Sequence, residues 1–256
     1  MTPATSIKDV VDELARDPLR HVVLLKHLLA YPEHVTVHRV ANAMGAATLV
    51  VLEASVSPFD RETYPRAAIA AFISSDHPAL SASLLAHVPR GVGIVFKLSR
   101  DADLAPVQAQ FAVERRTTFV SFTSAGSLER AAGVRVTTEP DDATLHLFET
   151  QGHDRSWLRP LFRRGTAFAC ILERGGDRVS ACIAFEIYGR VWEVGGVVTA
   201  PSHRRRGLGA RVVRTAVAER ALIPRLSGRG GQQGVDRARR NCGTPFLTIV
   251  HYAHDC

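Results

Sequence analysis

Val197-Val198-Thr199-Ala200-Pro201-Ser202-His203-Arg204-Arg205-Arg206-Gly207-Leu208-Gly209 joins an apolar strand to a turn of three arginines and two glycines. An amphipathic helix follows over Ala210 to Leu222, with Val213, Val217 and Ala221 on one side. The first turn of a helix leaves backbone N–H groups unpaired and directs the positive end of the helix dipole outward. Gly207 and Gly209 carry no side chain to hold a ligand away from the backbone, and Arg204, Arg205 and Arg206 surround the turn with positive charge. The pattern is an anion nest at a helix start. It is neither a P-loop, because no Gly-Lys-Ser/Thr follows, nor a full Gly-x-Gly-x-x-Gly dinucleotide turn. The plain alternative is a solvated basic turn before an ordinary surface helix.

The flanking sequence favours the nest. Arg155 to Arg163 reads as a short helix, and Thr166 to Glu173 and Arg178 to Ile187 read as strands joined at Arg174-Gly175-Gly176-Asp177, a strong hairpin signal. A second turn at Tyr188-Gly189-Arg190 introduces a third strand, Val191 to Thr199, which leads into the nest. Strand, Arg-x-x-Gly-x-Gly loop and helix in this order resemble the signature of the GNAT acyltransferase superfamily over roughly Gly165 to Leu222.

The resemblance implies a mixed, mainly antiparallel α/β sheet flanked by helices, with acetyl-CoA as cosubstrate, no metal, and an N-acetyltransferase reaction in which an amine attacks the thioester directly in a ternary complex. The backbone amides of Arg205 to Ala210, within the loop Arg204, Arg205, Arg206, Gly207, Leu208, Gly209 and Ala210, would hold the pyrophosphate. Val197, Val198 and Thr199 would line the strand that takes the pantetheine arm. Glu193, on the strand before the loop, stands where many members place the carboxylate that deprotonates the amine, directly or through water. An outward-facing carboxylate paired with an arginine is the competing reading of Glu193, Glu186 is the reserve candidate, and His203 is a neighbour of the cofactor. The family's usual tyrosine acid is not visible, which leaves the general acid open.

Working outward again, Ile7 to Tyr31 reads as helix with a second start at Asp17-Pro18, followed by strands at His34 to Val40, Ala47 to Ala54 and Ala67 to Ile73. A helix over Pro78 to His87, a strand over Gly93 to Leu98, a polar helix over Asp103 to Phe111 and a strand over Thr117 to Thr123 complete the first half. Ser124 to Asp142 reads as loop. The same element order in both halves implies two tandem GNAT-like units, residues 1–150 degenerate and 151–256 functional, with the boundary near Glu149 to His153. Phe246 to Tyr252 would be the late strand of the second.

Leu226 to Gly243 departs from the pattern: Ser227-Gly228-Arg229-Gly230-Gly231-Gln232-Gln233-Gly234 has neither period where the family needs strand then helix. It reads as a flexible Gly/Arg-rich insertion or as the product of compensating frameshifts near Leu226 and Gly243. A one-base shift under GC-rich codons restores strand, Asn cap and helix and resembles the family's Asn-x-x-Ser segment. A frameshift of this kind would impair activity.

The composition bounds the rest. At 256 residues and 46% apolar content the chain can bury a large core. No run of about 18 apolar residues appears and Met1 to Asp9 lacks a signal-like pattern, implying a soluble, cytoplasmic protein without membrane contact. Cys170, Cys182, Cys242 and Cys256 form no CxxC or metal-ligand spacing. The net charge of +7 rests almost wholly on arginine, as GC-rich coding would produce, and with 7% aromatic content and no nucleic-acid motif it argues against specific nucleic-acid binding. The resemblance further implies a small-molecule or protein amine as acceptor, and the expected assembly is a monomer or homodimer. The competing function is a non-catalytic acyl-CoA-binding or regulatory module.

Overall fold

A computed structural model describes residues 6–122, 128–189, 191–219, 223–229 and 245–254, without the side chains of 115–122, 223–229 and 245–254. The chain divides into two compact units, one of residues 1–120, 229–232 and 246–256 and the other of residues 121–228 and 233–245.

In the first unit, Ser6 caps α1 (Ile7–Leu14) in a reciprocal box with Asp9. Asp17 and Pro18 start α2 (Pro18–Ala30), as their sequence signals imply. The strands β1 (Val35–Asn42), β2 (Gly45–Glu53) and β3 (Ile69–Ser75) are antiparallel neighbours, with α3 (Pro58–Thr63) between the last two. Helix α4 (Pro78–Leu84) then leads to β4 (Ile94–Leu98), which runs parallel to β3. Helix α5 (Leu104–Gln108) and β5 (Ala112–Phe122) follow.

The second unit repeats this order. A β-strand that sequence periodicity missed, β6 (Val134–Thr137), pairs with β7 (Ala167–Arg174); between them lie α6 (Asp142–Glu149) and α7 (Arg155–Arg163). β7, β8 (Asp177–Tyr188) and β9 (Val191–Thr199) form the expected meander. Gly175 and Gly176, both at positive φ, make the two-residue turn between β7 and β8 that matches strand twist. Helix α8 (Leu208–Glu219) precedes β10 (Ile223–Arg229), parallel to β9. The order helix pair, antiparallel triplet, helix, parallel strand thus occurs twice, and the α/β class with two tandem halves holds.

Several boundaries differ from the sequence reading. Residues 134–149, assigned there to loop and to the first half, pack with the second unit: β6 extends its sheet, and Leu145, Leu147 and Phe148 of α6 join a core with Ile171, Ile183 and Val198. Four residues of β6 are too few for a period to register. Strand β11 (Pro245–His254), expected to finish the second half, pairs antiparallel with β4 of the first unit, Ile249 opposite Leu98. Strand β10 shows that the anomalous stretch begins in extended conformation, while residues 230–244 lie outside the described residues, and with them the core of the insertion or frameshift reading. On α8, Val217 is buried together with Leu208, Val212, Thr215 and Ala216, Val213 is half-buried against the same core, and Ala221 lies outside the described residues. Cys170 and Cys182 are buried free thiols on directly opposed positions of β7 and β8. Among the described residues no helix is long and apolar enough to cross a membrane.

The first unit holds a buried ionic triad. Asp60 of α3, fully buried, bonds Lys97 of β4, and His27 of α2 lies 3.5 Å from its other oxygen. Burial alone would raise the Asp60 carboxyl, but the neighbouring His27 imidazole and the charge of Lys97 overcome it and hold the group well below its ordinary value. Lys97 is pushed down by burial and supported by Asp60. The ammonium also lies 4.7 Å from the centre of the Phe72 ring. Removing one partner strands the others in a medium that cannot solvate them. Asp60→Ala should therefore lower the unfolding free energy by about 3–5 kcal/mol. Urea titration followed by circular dichroism measures this, and a loss below about 1 kcal/mol would show that water or rearrangement replaces the carboxylate.

Candidate functional site

The site grows from the join of β9 and α8. After Thr199 the chain turns through Pro201–His203, and Arg204 Nε donates to Thr199 O at 3.1 Å, tying the first arginine back to the strand end. Arg205 has φ 62° and is the one non-glycine residue at positive φ among those described; Gly207 follows at φ 72°. A left-handed conformation costs an arginine roughly 1–2 kcal/mol, and such strain is typical of turns held for a ligand. A turn with left-handed residues is of the kind that forms a concave run of backbone N–H groups. This one opens on the first turn of α8, whose first intrahelical bond here is Arg211 N–H to Gly207 O. The N–H groups of Leu208, Gly209 and Ala210 precede it and have no carbonyl one turn back in the helix.

These atoms border a cleft of about 390 Å³ lined by Val197, Thr199, Arg204, Arg205, Gly207, Leu208, Gly209 and Gln151. A Cβ on Gly209 would stand 3.4 Å from Val197 Cγ1 and 3.6 Å from Thr199 Oγ1, so at this point the helix start lies within van der Waals reach of the strand. Of the expected cofactor residues, Val198, Arg206 and Ala210 do not line the cleft. The Val198 side chain is buried against α6 and α7, on the opposite face of the sheet.

That reversal of faces has a definite origin. Ala181 pairs with Val198 and Ile183 with Gly195, so Cys182 alone faces both Gly196 and Val197. This is a β-bulge. Before it, Trp192 and Val194 pack into the core with Val212 and Ala216 of α8. At it, a Cβ on Gly195 would meet Phe185 at 3.5 Å, and one on Gly196 would meet His153 Nε2 and Ile183 Cδ1 at 3.2 Å, so both glycines face the α6–α7 side. Beyond it, Val197 and Thr199 turn toward Gly209. Parallel pairing joins Val191–Val194 of β9 to Ile223–Leu226 of β10, and the bulge begins two residues further on.

Glu193 is half-buried and directly opposite Phe185, which places it on the α6–α7 face by strand alternation. It does not line the cleft. Glu186 is exposed and opposite Trp192. His203 is partly buried and bonds Ser202 Oγ at 2.9 Å. Above Glu193 and the bulge lies the α6–α7 turn, which sequence reasoning treated as a domain boundary. Gln151 reaches the cleft, Gly152 turns the chain at φ 84°, and Asp154 caps α7 by accepting from Ser156 N–H at 2.7 Å. His153 and Trp157 stack with centroids 6.1 Å apart, and Trp157 meets Phe185 edge-on. The legible signals were two aspartate N-caps, Asp141 at the start of α6 and Asp154 at the start of α7.

Among the described residues no group of three or more His, Cys, Asp or Glu is placed to hold a metal. The first unit, at the corresponding step from β3 to α4, has two residues, Asp76 and His77, in place of the long basic turn. Its seam is closed by Arg20, bonded to Ser75 O at 2.6 Å and Asp76 at 2.9 Å, and by Arg100, bonded to Ser75 O at 3.0 Å.

Gly196 is at φ 56° in addition to its close neighbours. Gly196→Ala should destabilise the protein by about 1–3 kcal/mol from backbone strain and crowding at His153 and Ile183. Thermal unfolding checks this; an unchanged midpoint would mean that the bulge relaxes to accept a methyl group.

A search of curated proteins finds no match. Residues 134–222 match the model of the acetyltransferase (GNAT) family. Among solved structures, a GCN5-related N-acetyltransferase from Kribbella flavida is similar at 20% identity and a TM-score of 0.56, over 92% of this chain and 95% of that one. A Drosophila protein is similar at 11% identity and a TM-score of 0.56, over 96% and 95%. A GCN5-related N-acetyltransferase from Sphaerobacter thermophilus is similar at 14% identity and a TM-score of 0.52, over 81% and 76%. At these identities the solved structures speak for the fold, and the family match covers the elements from β6 through α8 that build the cleft and the bulge. The chain thus carries, over residues 134–222, a domain of the acetyltransferase (GNAT) family.

Proposed function

We propose that the second unit binds acetyl-CoA and transfers its acetyl group to an amine. The observation that carries this reading is the cleft at the start of α8, lined by the left-handed pair Arg205 and Gly207 and by Leu208 and Gly209 of the helix start, beside a bulged strand. Its fit to a pyrophosphate is chemical: amide donors, the positive end of the α8 dipole and two lining guanidiniums, Arg204 and Arg205, complement a dianion. Arg206 and Ala210 add charge and an N–H at the rim. Val197 and Thr199 offer an extended edge to the pantetheine amides, with Val198 contributing through its backbone.

The acceptor enters from the α6–α7 side. Glu193 there attracts the ammonium form of the amine and takes its first proton, directly or through water. The free amine then attacks the thioester carbonyl, and no covalent enzyme intermediate is needed. Bound acetyl-CoA supplies an activated acyl group; the protein supplies position, charge and proton transfer.

Isothermal titration with acetyl-CoA tests the cradle. The wild type should bind at micromolar strength, and the double variant Gly207→Glu, Gly209→Glu should lose binding through steric block and like charge. A folded wild type that binds no acetyl-CoA would end the reading. Glu193→Gln should bind acetyl-CoA as the wild type does while kcat falls by about 10²-fold or more. Binding without turnover of any amine would instead identify a non-catalytic acyl-CoA module.

A further inference from the structure

His153 has no part in the scheme above, yet both its backbone and its ring have neighbours in the α6–α7 region. Its N–H bonds Phe148 O at 3.4 Å, and its ring lies 21° from the plane of Trp157, which is itself fixed edge-on against Phe185. Its Nε2 stands 3.2 Å from where a Cβ on Gly196 would be. The imidazole therefore overlies the bulge, two residues from Gln151 at the cleft and on the face that carries Glu193. Glycine at 196 is what leaves this space open.

We propose that His153 carries a proton from the attacking nitrogen to the departing sulfur of the thioester, a role that rests on the acetyl-transfer reading above. An ammonium acceptor first gives one proton to Glu193. The nitrogen lone pair forms the C–N bond, and the carbonyl π pair moves to oxygen, leaving a positive nitrogen that still bears two protons. Nε2 accepts one of these. The pair on oxygen then re-forms the C=O bond, the C–S bond breaks with its electrons passing to sulfur, and the proton on Nε2 moves to the thiolate. The amide keeps one hydrogen, CoA leaves as the thiol, Glu193 returns its proton to water, and His153 ends neutral as it began.

The residue suits both halves of this transfer. Burial disfavours the imidazolium and holds His153 below its ordinary value, so the neutral base prevails at neutral pH. The same displacement makes the transient imidazolium a readier donor to a thiolate whose conjugate acid ionises near pH 8.5. Charged groups on the packed elements leave this balance in place. On α6, Glu149 is bound by Arg155 of α7 and flanked by the exposed His146. The Asp154 carboxylate accepts from Ser156 N–H. Glu193 is the carboxylate on the facing strand.

The test compares wild type and His153→Gln against a panel of primary amines, with acetyl-CoA titration of both. Glutamine keeps a polar side chain of similar reach but cannot shuttle a proton. The expected result is unchanged acetyl-CoA affinity, a kcat lower by about 10²-fold or more, partial rescue by free imidazole, and loss of the acidic-side inflection below the ordinary histidine value of about 6.5. A variant that keeps kcat within about threefold of wild type overturns the role. So does a variant that loses acetyl-CoA affinity together with kcat, since His153 would then hold the loop in place. A wild type that binds acetyl-CoA and acetylates no amine overturns the transfer reading itself, and that outcome is seen before the variant is compared.

Discussion

Between Ala181 and Ile183 of β8 lies one residue, while between their partners on β9, Val198 and Gly195, lie two, and much of the second unit follows from that mismatch. An unbroken strand would send Val194, Gly196 and Val198 to one face. With the extra residue, Trp192 and Val194 face α8, Gly195 and Gly196 both face α6 and α7, and Val197 and Thr199 turn back toward Gly209. One strand can thus anchor two cores and still present an extended edge to the cleft. The bulge also explains why two glycines stand together in a strand, where glycine ordinarily weakens pairing: at 196 any side chain would meet His153 and Ile183.

The loop that follows is held in a shape that its arginines would not choose. Arg205 in the left-handed region and three adjacent guanidiniums raise the energy of the turn before any ligand arrives. What holds it is packing at both ends, Val198 in the core beneath α6 and α7 and Leu208 and Val212 in the core against β7 and β8. The tie from Arg204 to Thr199 O uses one arginine to brace the turn, leaving the others to face solvent or an anion. An anion would offset the repulsion and satisfy the N–H groups together, so the strain and the affinity have a common source.

Much of this was legible in the sequence because it depends on local chemistry. The glycine pair at 175 and 176, the Asp17-Pro18 start and the Arg-rich turn before α8 are each specified by residues within one turn of one another. The misses share the opposite property. β6 is four residues long and exists because β7 offers it an edge. Strand β11 has apolar alternation that could serve any sheet, and its pairing with β4 is a tertiary choice. Val198 was placed with Val197 and Thr199 because the resemblance assigns the strand as a whole, whereas alternation along a strand turns its side chain to the opposite face. His153 and Gln151 belong to the site only because α6 and α7 fold back over β8 and β9, and nothing within that turn announces it.

The two units share an element order and differ at one step of it. Both run helix pair, antiparallel triplet, helix, parallel strand, and both have a cationic seam where the third strand meets the helix. In the second unit eight residues span that step, and Arg204 and Arg205 are among the residues that line an open cleft. In the first unit two residues span it, and Arg20 and Arg100 are consumed by the carbonyl of Ser75 and the carboxylate of Asp76. An arginine already bonded to a carboxylate has little left to offer a phosphate, and a helix of seven residues behind it offers a weaker dipole end. Where the second unit has an open cleft the first unit has internal ion pairs, and the buried Asp60–Lys97 pair beside His27 follows the same pattern, with charges neutralised within the fold rather than left open for a ligand.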